Sequence, residues 1–437
     1  MRIALIAPLF ETVPPRKYGG TERVVHWIAE ELHRLGHEVT LYAAAGSQTS
    51  AKLVKCSPAS FRELDIRDFT DESENHYTAQ LQLALSGIEG HDHDVVHVHH
   101  GTYPYQLAVL EENLKTRNVP VMWTDHNAIH TENKPAMFDN MSKVGVGLTG
   151  LSDSHRNTVP EANWLETIHH GLPATMLTPS NETEPTYLAF LGRISPEKGI
   201  KTAVRISEAG GYELKVAAKV DKLNQEFYDE EVAPLFAESN VDFIGEICEK
   251  QKGPFLSNAI ALIFPISWKE PFGLVMIEAM ACGCPVIAYR MGSVEEIIED
   301  GITGFVVDTE EEAIAALPKL KTLSRERVRQ RFEERFTATI MAQKYVEVYE
   351  RVIKQAELMN EAKEHARHIS LQHVEEPKAV ADANAAAARE RERAEIFAAF
   401  KRAAPVAAPV STPFQDSLAP PSLLARPAMS RQVSANM

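Results

Sequence analysis

Short apolar runs recur along the chain between longer stretches whose apolar residues return every third or fourth position. The opening run RIALIAP is followed by GTERVVHWIAEELHRLG, with helical spacing, and then by a second run, HEVTLYAA. DVVHVHH, YQLAVLEENLKTR, VPVMWTDH and VGLTGLS continue the series. Between residues 168 and 186 the pattern dissolves into IHHGLPATMLTPSNETEPT, which reads as a linker. It restarts with YLAFLGR, GIKTAVRISEAG, YELKVAA, VDFIG, AIALIFP, FGLVMIEAMACG, PVIAY and GFVV. Strand, helix, strand in repetition predicts parallel sheets with crossover helices on both faces.

The expected class is therefore α/β, with two facing Rossmann-like domains, residues 1–172 and 173–335, and a ligand cleft at the carboxyl ends of their strands. A helix-favouring stretch follows over 336–364. Beyond it, 365–437 contains the charge-alternating ADANAAAARERERAEIFAAFKR and then a run of Ala, Pro and Ser, expected to be a largely disordered tail. Such a tail serves as a tether or binds a protein partner.

A chain of 437 residues with 44% hydrophobic content has room for two sizeable cores. Its formal charge of −16 opposes nonspecific nucleic-acid binding through the sign of the field. Four cysteines in this length are not a disulfide framework and fit a reducing, cytoplasmic compartment. MRIALIAPLF carries one Arg and meets Glu11, so it reads as a buried strand rather than a leader. No apolar stretch approaches the length of a spanning helix, which leaves a soluble protein with peripheral membrane contact open.

Three stretches carry candidate chemistry. E-P-F-G-L-V-M-I-E (270–278) follows the apolar run AIALIFP and opens a predicted helix, EPFGLVMIEAMACG. Backbone N–H groups at a helix start suit an anion, and Gly273 lets the backbone approach it closely. Glu278, one to two turns into that helix, can accept bonds from a vicinal diol, whereas in the plainer reading both glutamates are surface charges. In L-G-R-I-S-P-E-K-G (191–199), Arg193 and Lys198 bracket a Ser-Pro turn and can converge on a diphosphate. The plainer reading there is two surface cations beside an N-cap Ser195. Y-G-G-T-E (18–22) places Gly19 and Gly20 at the first helix start, again tolerant of phosphate but not a P-loop.

In this order and placement the three stretches resemble the family-four retaining glycosyltransferases of the GT-B fold. L-x-x-x-G-H-E-V (Leu32 to Val39), L-S-D-S-H-R (151–156) and A-C-G-C-P-V-I-A followed by D-G-I-T-G-F agree with it, over residues 1 to about 350. The resemblance implies a nucleotide-sugar donor, UDP- or GDP-linked, in the second domain and an acceptor in the first. It implies Arg193 and Lys198 on the diphosphate, Glu278 on the ribose and Glu270 on the transferred hexose. Phe272, Gly273 and Leu274 would offer backbone nearby, Gly19 and Gly20 would close over the donor, and His126 in W-T-D-H-N would stand beside the reacting sugar. His170 departs from the family, which more often has Asn there. A retaining transfer of this kind needs no protein nucleophile, since the leaving diphosphate can take the acceptor's proton on the same face, and it needs no metal or other cofactor. The acceptor (glycan, lipid or small molecule), sugar and base are not specified by these residues.

Other signals are weaker. H-D-H-D-V-V-H-V-H-H (91–100) suggests a metal, but alternation from Val95 to Val98 marks a strand with His97 and His99 at its carboxyl end, lining the cleft. G-V-G-L-T-G (145–150) fits a dinucleotide fingerprint only formally, because it lies inside a strand-like run. Cys282 and Cys284 lack a second pair at metal-site spacing, and Trp123 and Trp268 read as packing residues. Rival classes are an epimerase or phosphorylase on the same fold, and a sugar-nucleotide-binding scaffold acting through its tail.

Overall fold

The computed structural model describes residues 1–16, 19–67, 70–101, 104–129, 134–180, 184–372 and 391. Met1–Glu364 forms one compact unit and His365–Met437 a second; every strand and contact described below lies in the first. Expectations for Tyr18 and for most of the tail fall outside the described residues.

Among the described residues thirteen strands form two wholly parallel sheets. The first comprises β1 (Arg2–Ile6), β2 (Glu38–Ala44), β3 (Lys52–Ser57), β4 (Val95–Val98), β5 (Val121–Thr124), β6 (Gly147–Gly150) and β7 (Trp164–Thr167), in the order β3-β2-β1-β4-β5-β6-β7. The second comprises β8 (Tyr187–Arg193), β9 (Leu214–Lys219), β10 (Val241–Gly245), β11 (Ala259–Phe264), β12 (Val286–Tyr289) and β13 (Gly304–Val307), in the order β10-β9-β8-β11-β12-β13. Central strands such as VVHV (β4) are buried at every position, as a sheet covered on both faces requires. Each strand order reverses once, between β1 and β4 and between β8 and β11, and the loops leaving those strands border the crevice where ligands of such sheets bind.

Strands β3 and β7 and the helix Asp71–Leu85 are among the elements that run where no regular pattern was expected. β3 and β7 are edge strands with mostly half-buried or exposed side chains, so their alternation is weak. Asp71–Leu85 is a helix that opens on the polar run DESENHY, with Thr70 and Ser73 exchanging capping bonds. That start resembles loop sequence.

The hinge is tight. Leu172 bridges to Thr337, and a Cβ on Gly171 would lie 2.2 Å from the Thr337 carbonyl oxygen. The last helix, Ala338–Gln372, begins slightly later and runs further than the expected 336–364. It returns to the first sheet, where Tyr345 and Tyr349 are fully buried. The Tyr349 hydroxyl lies 2.7 Å from His97 Nδ1, and His97 Nε2 lies 2.7 Å from Thr124 Oγ1. His97 is thus enclosed beneath this helix, which corrects its expected place along the cleft. One hydrophobic cluster continues from Val25 and Ile28 through Leu172 to Phe272 and Phe336, joining the halves. Tyr349→Phe, which leaves His97 Nδ1 unpaired in the interior, is expected to cost about 1–3 kcal/mol, and Tyr349→Ala about 3–5 kcal/mol. Urea unfolding measures both; equal midpoints for wild type and Tyr349→Ala would contradict this packing.

Candidate active site

The site assembles where loops leave β8, β11 and β12. After β8 the chain makes one 3₁₀ turn, Pro196–Lys198, then Gly199 at φ 73°. A Cβ there would lie 2.0 Å from the Pro265 carbonyl oxygen, so only glycine lets this turn lie against the end of β11. The Ser267 N–H donates to the Glu197 carbonyl at 2.9 Å and stitches the two loops together. Ser195 does not cap the turn; its hydroxyl donates to the Glu197 carboxylate. The loop after β12 supports the next segment, with Ser293 donating its N–H to the Glu270 carbonyl and its hydroxyl to that of Phe272.

Lys198 Nζ lies 2.5 Å from Glu270 Oε2, with both side chains largely buried. The Trp268 indole N–H donates to the same oxygen at 3.0 Å, and the Lys198 ammonium sits 4.7 Å from the Trp268 ring centre. Trp268, which reads as packing in the sequence, is therefore part of the site. Arg193 has its own carboxylates, Asp221 at 3.4 Å and Glu197 at 3.7 Å, so the two expected diphosphate cations are held in separate ion pairs.

The helix expected from Glu270 starts at Leu274, with Gly273 at φ 80° before it and Phe272 fully buried. Glu270 consequently belongs to the preceding loop. A chain that must first make the Lys198 and Trp268 contacts cannot begin its helix four residues earlier. Glu278 is 2% exposed, which removes the surface-charge reading. Its Oε1 accepts from Lys252 Nζ at 2.6 Å, and its buried Oε2 has no partner among the described residues. Lys252, on the helix Glu249–Ser257, escaped sequence reading because EKQK looks like a solvated charge run.

The first half faces this array. Gly19 precedes the helix Gly20–Arg34, and a Cβ on Gly20 would lie 3.8 Å from Leu274 Cδ1, so the glycine turn meets the second half's helix start. His126, just past β5, lies 3.1 Å from His99 Nδ1 through its Nε2. Its ring stacks on His170 at 5.1 Å, and His170 meets Phe272 edge-on at 4.9 Å. His170 thus extends a chain of rings from β5 towards the Glu270 loop. Burial pushes the His126 imidazole down to about 4 and holds His99 and His170 well below the usual range, with neighbouring imidazoles adding to the effect in His99 and His170. All three are neutral near pH 7. His99 Nε2, His126 Nδ1 and His170 Nδ1 are buried without partners among the described residues, which leaves hydrogen-bonding capacity for a polar ligand.

The L-S-D-S-H-R segment works as a clamp. The Ser152 hydroxyl donates to the Pro271 carbonyl at 2.7 Å, and the Asp153 and Ser154 N–H groups donate to the Glu296 carboxylate at 2.7 and 2.8 Å. Beside it lies a cavity of about 200 Å³ between the halves, lined by Ala128, Ile129, Ser154 and Thr158 opposite Lys269 and Glu270. Asp92 and Asp94 pair with Arg2, and Asp92 also with Arg117. Among the described residues no cluster of His, Cys, Asp and Glu could hold a metal ion. Trp123 is buried and donates its N–H to the His100 carbonyl, a packing role.

The fold is a two-domain parallel α/β architecture with a crevice between its halves, and comparison with known proteins gives its class. Residues 18–198 match the glycosyltransferase family 4 model and residues 178–338 the model for glycosyl transferases group 1. The chain belongs to this group 1, family-four-like class of glycosyltransferases. It is 27% identical over 335 residues to the D-inositol 3-phosphate glycosyltransferase of Mycolicibacterium smegmatis, covering 66% of this chain and 75% of that one. It is 24% identical to the phosphatidyl-myo-inositol mannosyltransferase of Mycobacterium leprae, covering 80% and 97%. The Anabaena HepE structure in complex with UDP and glucose superposes with a TM-score of 0.61 at 17% identity, covering 79% and 98%, and shares the GT-B fold.

The buried histidines predict an acid-sensitive fold. His93, His100 and His126 titrate near 4 in the native protein because burial opposes their charging, against 6.5 for the free side chain. The unfolded chain takes up their protons first, so stability is full about one pH unit above 6.5, falls through 6.5 and keeps falling as pH drops towards 4. The urea midpoint should be flat from pH 8.5 to 7.5 and lower at pH 5, above the carboxylate range; equal midpoints at pH 7.5 and 5 would refute this.

Proposed function

We propose that this glycosyltransferase moves a hexose from a UDP- or GDP-sugar to an acceptor hydroxyl with retention of configuration. The observation that carries the reading is the array at the end of the second sheet. Lys198 and Glu270 form a largely buried pair, and Glu278 presents an unpartnered carboxylate oxygen one helix turn beyond. A diphosphate brings negative charge that competes for Lys198 and Arg193. Freed from Lys198, Glu270 accepts bonds from sugar hydroxyls, while the Glu278 oxygen accepts from the ribose.

As the bond to the diphosphate breaks, charge develops on the leaving oxygen, and Lys198 and Arg193 stabilise it in a partly dry site. The departing phosphate takes the acceptor's proton on the face it leaves, so no side chain acts as nucleophile. The cations supply the charge stabilisation, and we assign no metal cofactor. Gly19 and Gly20, with backbone of Phe272, Gly273 and Leu274, enclose the donor, and neutral His126 bonds a hydroxyl of the transferred hexose.

Support for the donor class comes from HepE, whose structure holds UDP and glucose, and support for a hexose from the mannosyltransferase relative. The cavity beside Glu270 is smaller than the roughly 300–1,000 Å³ typical of drug-sized ligands and suits an acceptor end the size of one sugar ring. Among the described residues no helix is long and apolar enough to cross a membrane. We place the enzyme in the cytoplasm, where nucleotide sugars would reach its cleft and its four free cysteines stay reduced.

Incubation with UDP- and GDP-glucose and -mannose, without acceptor, should release nucleotide slowly from one donor, with the free hexose initially the α anomer. Lys198→Ala and Glu270→Ala should each lower that rate by about 10²–10³-fold. Absence of both release and binding for all four donors would reject the donor assignment.

A further inference from the structure

Glu278 is the most deeply buried carboxylate of the site, and what holds it extends beyond the second half. Lys252 Nζ lies 2.6 Å from Glu278 Oε1 and 2.9 Å from Glu249 Oε1. Glu249 Oε2 lies 2.7 Å from Arg23 Nη1, and Arg23 stands on the first half's helix three residues after Gly20. Four charges of alternating sign therefore run from the candidate ribose carboxylate to the glycine turn. Lys252 and Arg23 are both largely buried. Burial disfavours the Lys252 ammonium, but the carboxylates of Glu278 and Glu249 outweigh it and raise its pKa, so the lysine stays charged.

A carboxylate has two oxygens and only one of Glu278's is used. Lys252 fixes Oε1 and leaves Oε2 buried, unpartnered and directed by the geometry of that one bond. We infer that Lys252 is a positioning residue for the ribose, orienting Glu278, and that Arg23 and Glu249 couple this orientation to the approach of the first half. The inference rests on the nucleotide-sugar reading above and adds three residues to it. Glu249 is shared between Lys252 and Arg23. When the halves separate, Arg23 leaves and Glu249 draws Lys252 away from Glu278, so the carboxylate is held for ribose only when the glycine turn is in place.

The test is calorimetric titration of the full chain with UDP, GDP and their 2′-deoxy and 3′-deoxy analogues. Wild type should bind one diphosphate and prefer it over its deoxy forms by about 10–100-fold, the range of a hydrogen bond to a charged acceptor. Lys252→Met should weaken binding and reduce that preference to within about twofold, as expected when the bond is no longer directed. Lys252→Arg should restore much of it. Glu249→Gln should give a partial loss, and adding Arg23→Gln to it should cause little more, because both break the same chain. A fall in melting temperature with the ribose preference intact would show a structural role and overturn the inference. So would a Lys252→Met protein that binds and discriminates like wild type. Wild type binding neither diphosphate would overturn the donor reading itself, and this inference with it.

Discussion

Two carboxylates at the end of the second sheet, Glu270 and Glu278, are largely out of water, and a buried carboxylate must be neutralised where it stands. Lys198 does this for Glu270, with a hydrogen bond from the Trp268 indole beside it, and Lys252 does it for Glu278. Much of the local architecture follows from these pairings. The 3₁₀ turn after β8 is pressed against β11 so that Lys198 reaches Glu270, and the helix start is delayed to Leu274 so that Glu270 can turn back towards it. On the proposed reading, a nucleotide sugar exchanges partners with these charges: its diphosphate takes the cation, and its hydroxyls take the carboxylates the cation leaves.

The halves are joined on three sides of this array. The hinge passes Gly171 against Thr337, the L-S-D-S-H-R segment docks on Pro271 and Glu296, and Arg23 reaches Glu249. Between them the rings of His126 and His170, stacked on each other, and of Phe272, edge-on to His170, fill the interior with groups that stay neutral. Neutral imidazoles suit a site where negative charge must collect on the second half alone. On the proposed reading they donate or accept hydrogen bonds without competing with Lys198 and Arg193 for the diphosphate.

How far this could be read from sequence depended on whether a feature is local. The inner strands were legible because a sheet buried on both faces writes nearly continuous apolar runs, as in RIALI and AIALIF. Edge strands β3 and β7 were not, because their side chains face water in part. Glu270, Arg193 and Lys198 stood out as candidates from their places at the ends of predicted strands, and Glu278 from its place one to two turns into the helix that follows. The separate ion pairs of Lys198 with Glu270 and of Arg193 with Asp221 and Glu197, and the later helix start, depend on loops brought together from different strands. Lys252, Glu249 and Arg23 carry no signal of their own, since each sits in an ordinary charged stretch and only the tertiary fold lines them up. His97 was misplaced for the same reason: the helix that covers it lies more than two hundred residues away.

The exchange of partners at Lys198 is the central claim, and a crystal structure of the protein with bound UDP or GDP tests it most directly. The account predicts Lys198 Nζ withdrawn from Glu270 and within about 2.7–3.2 Å of a diphosphate oxygen, with a ribose hydroxyl on Glu278 Oε2. A nucleotide bound elsewhere, or bound here with the Lys198–Glu270 pair intact and Glu278 Oε2 still unpartnered, would contradict it.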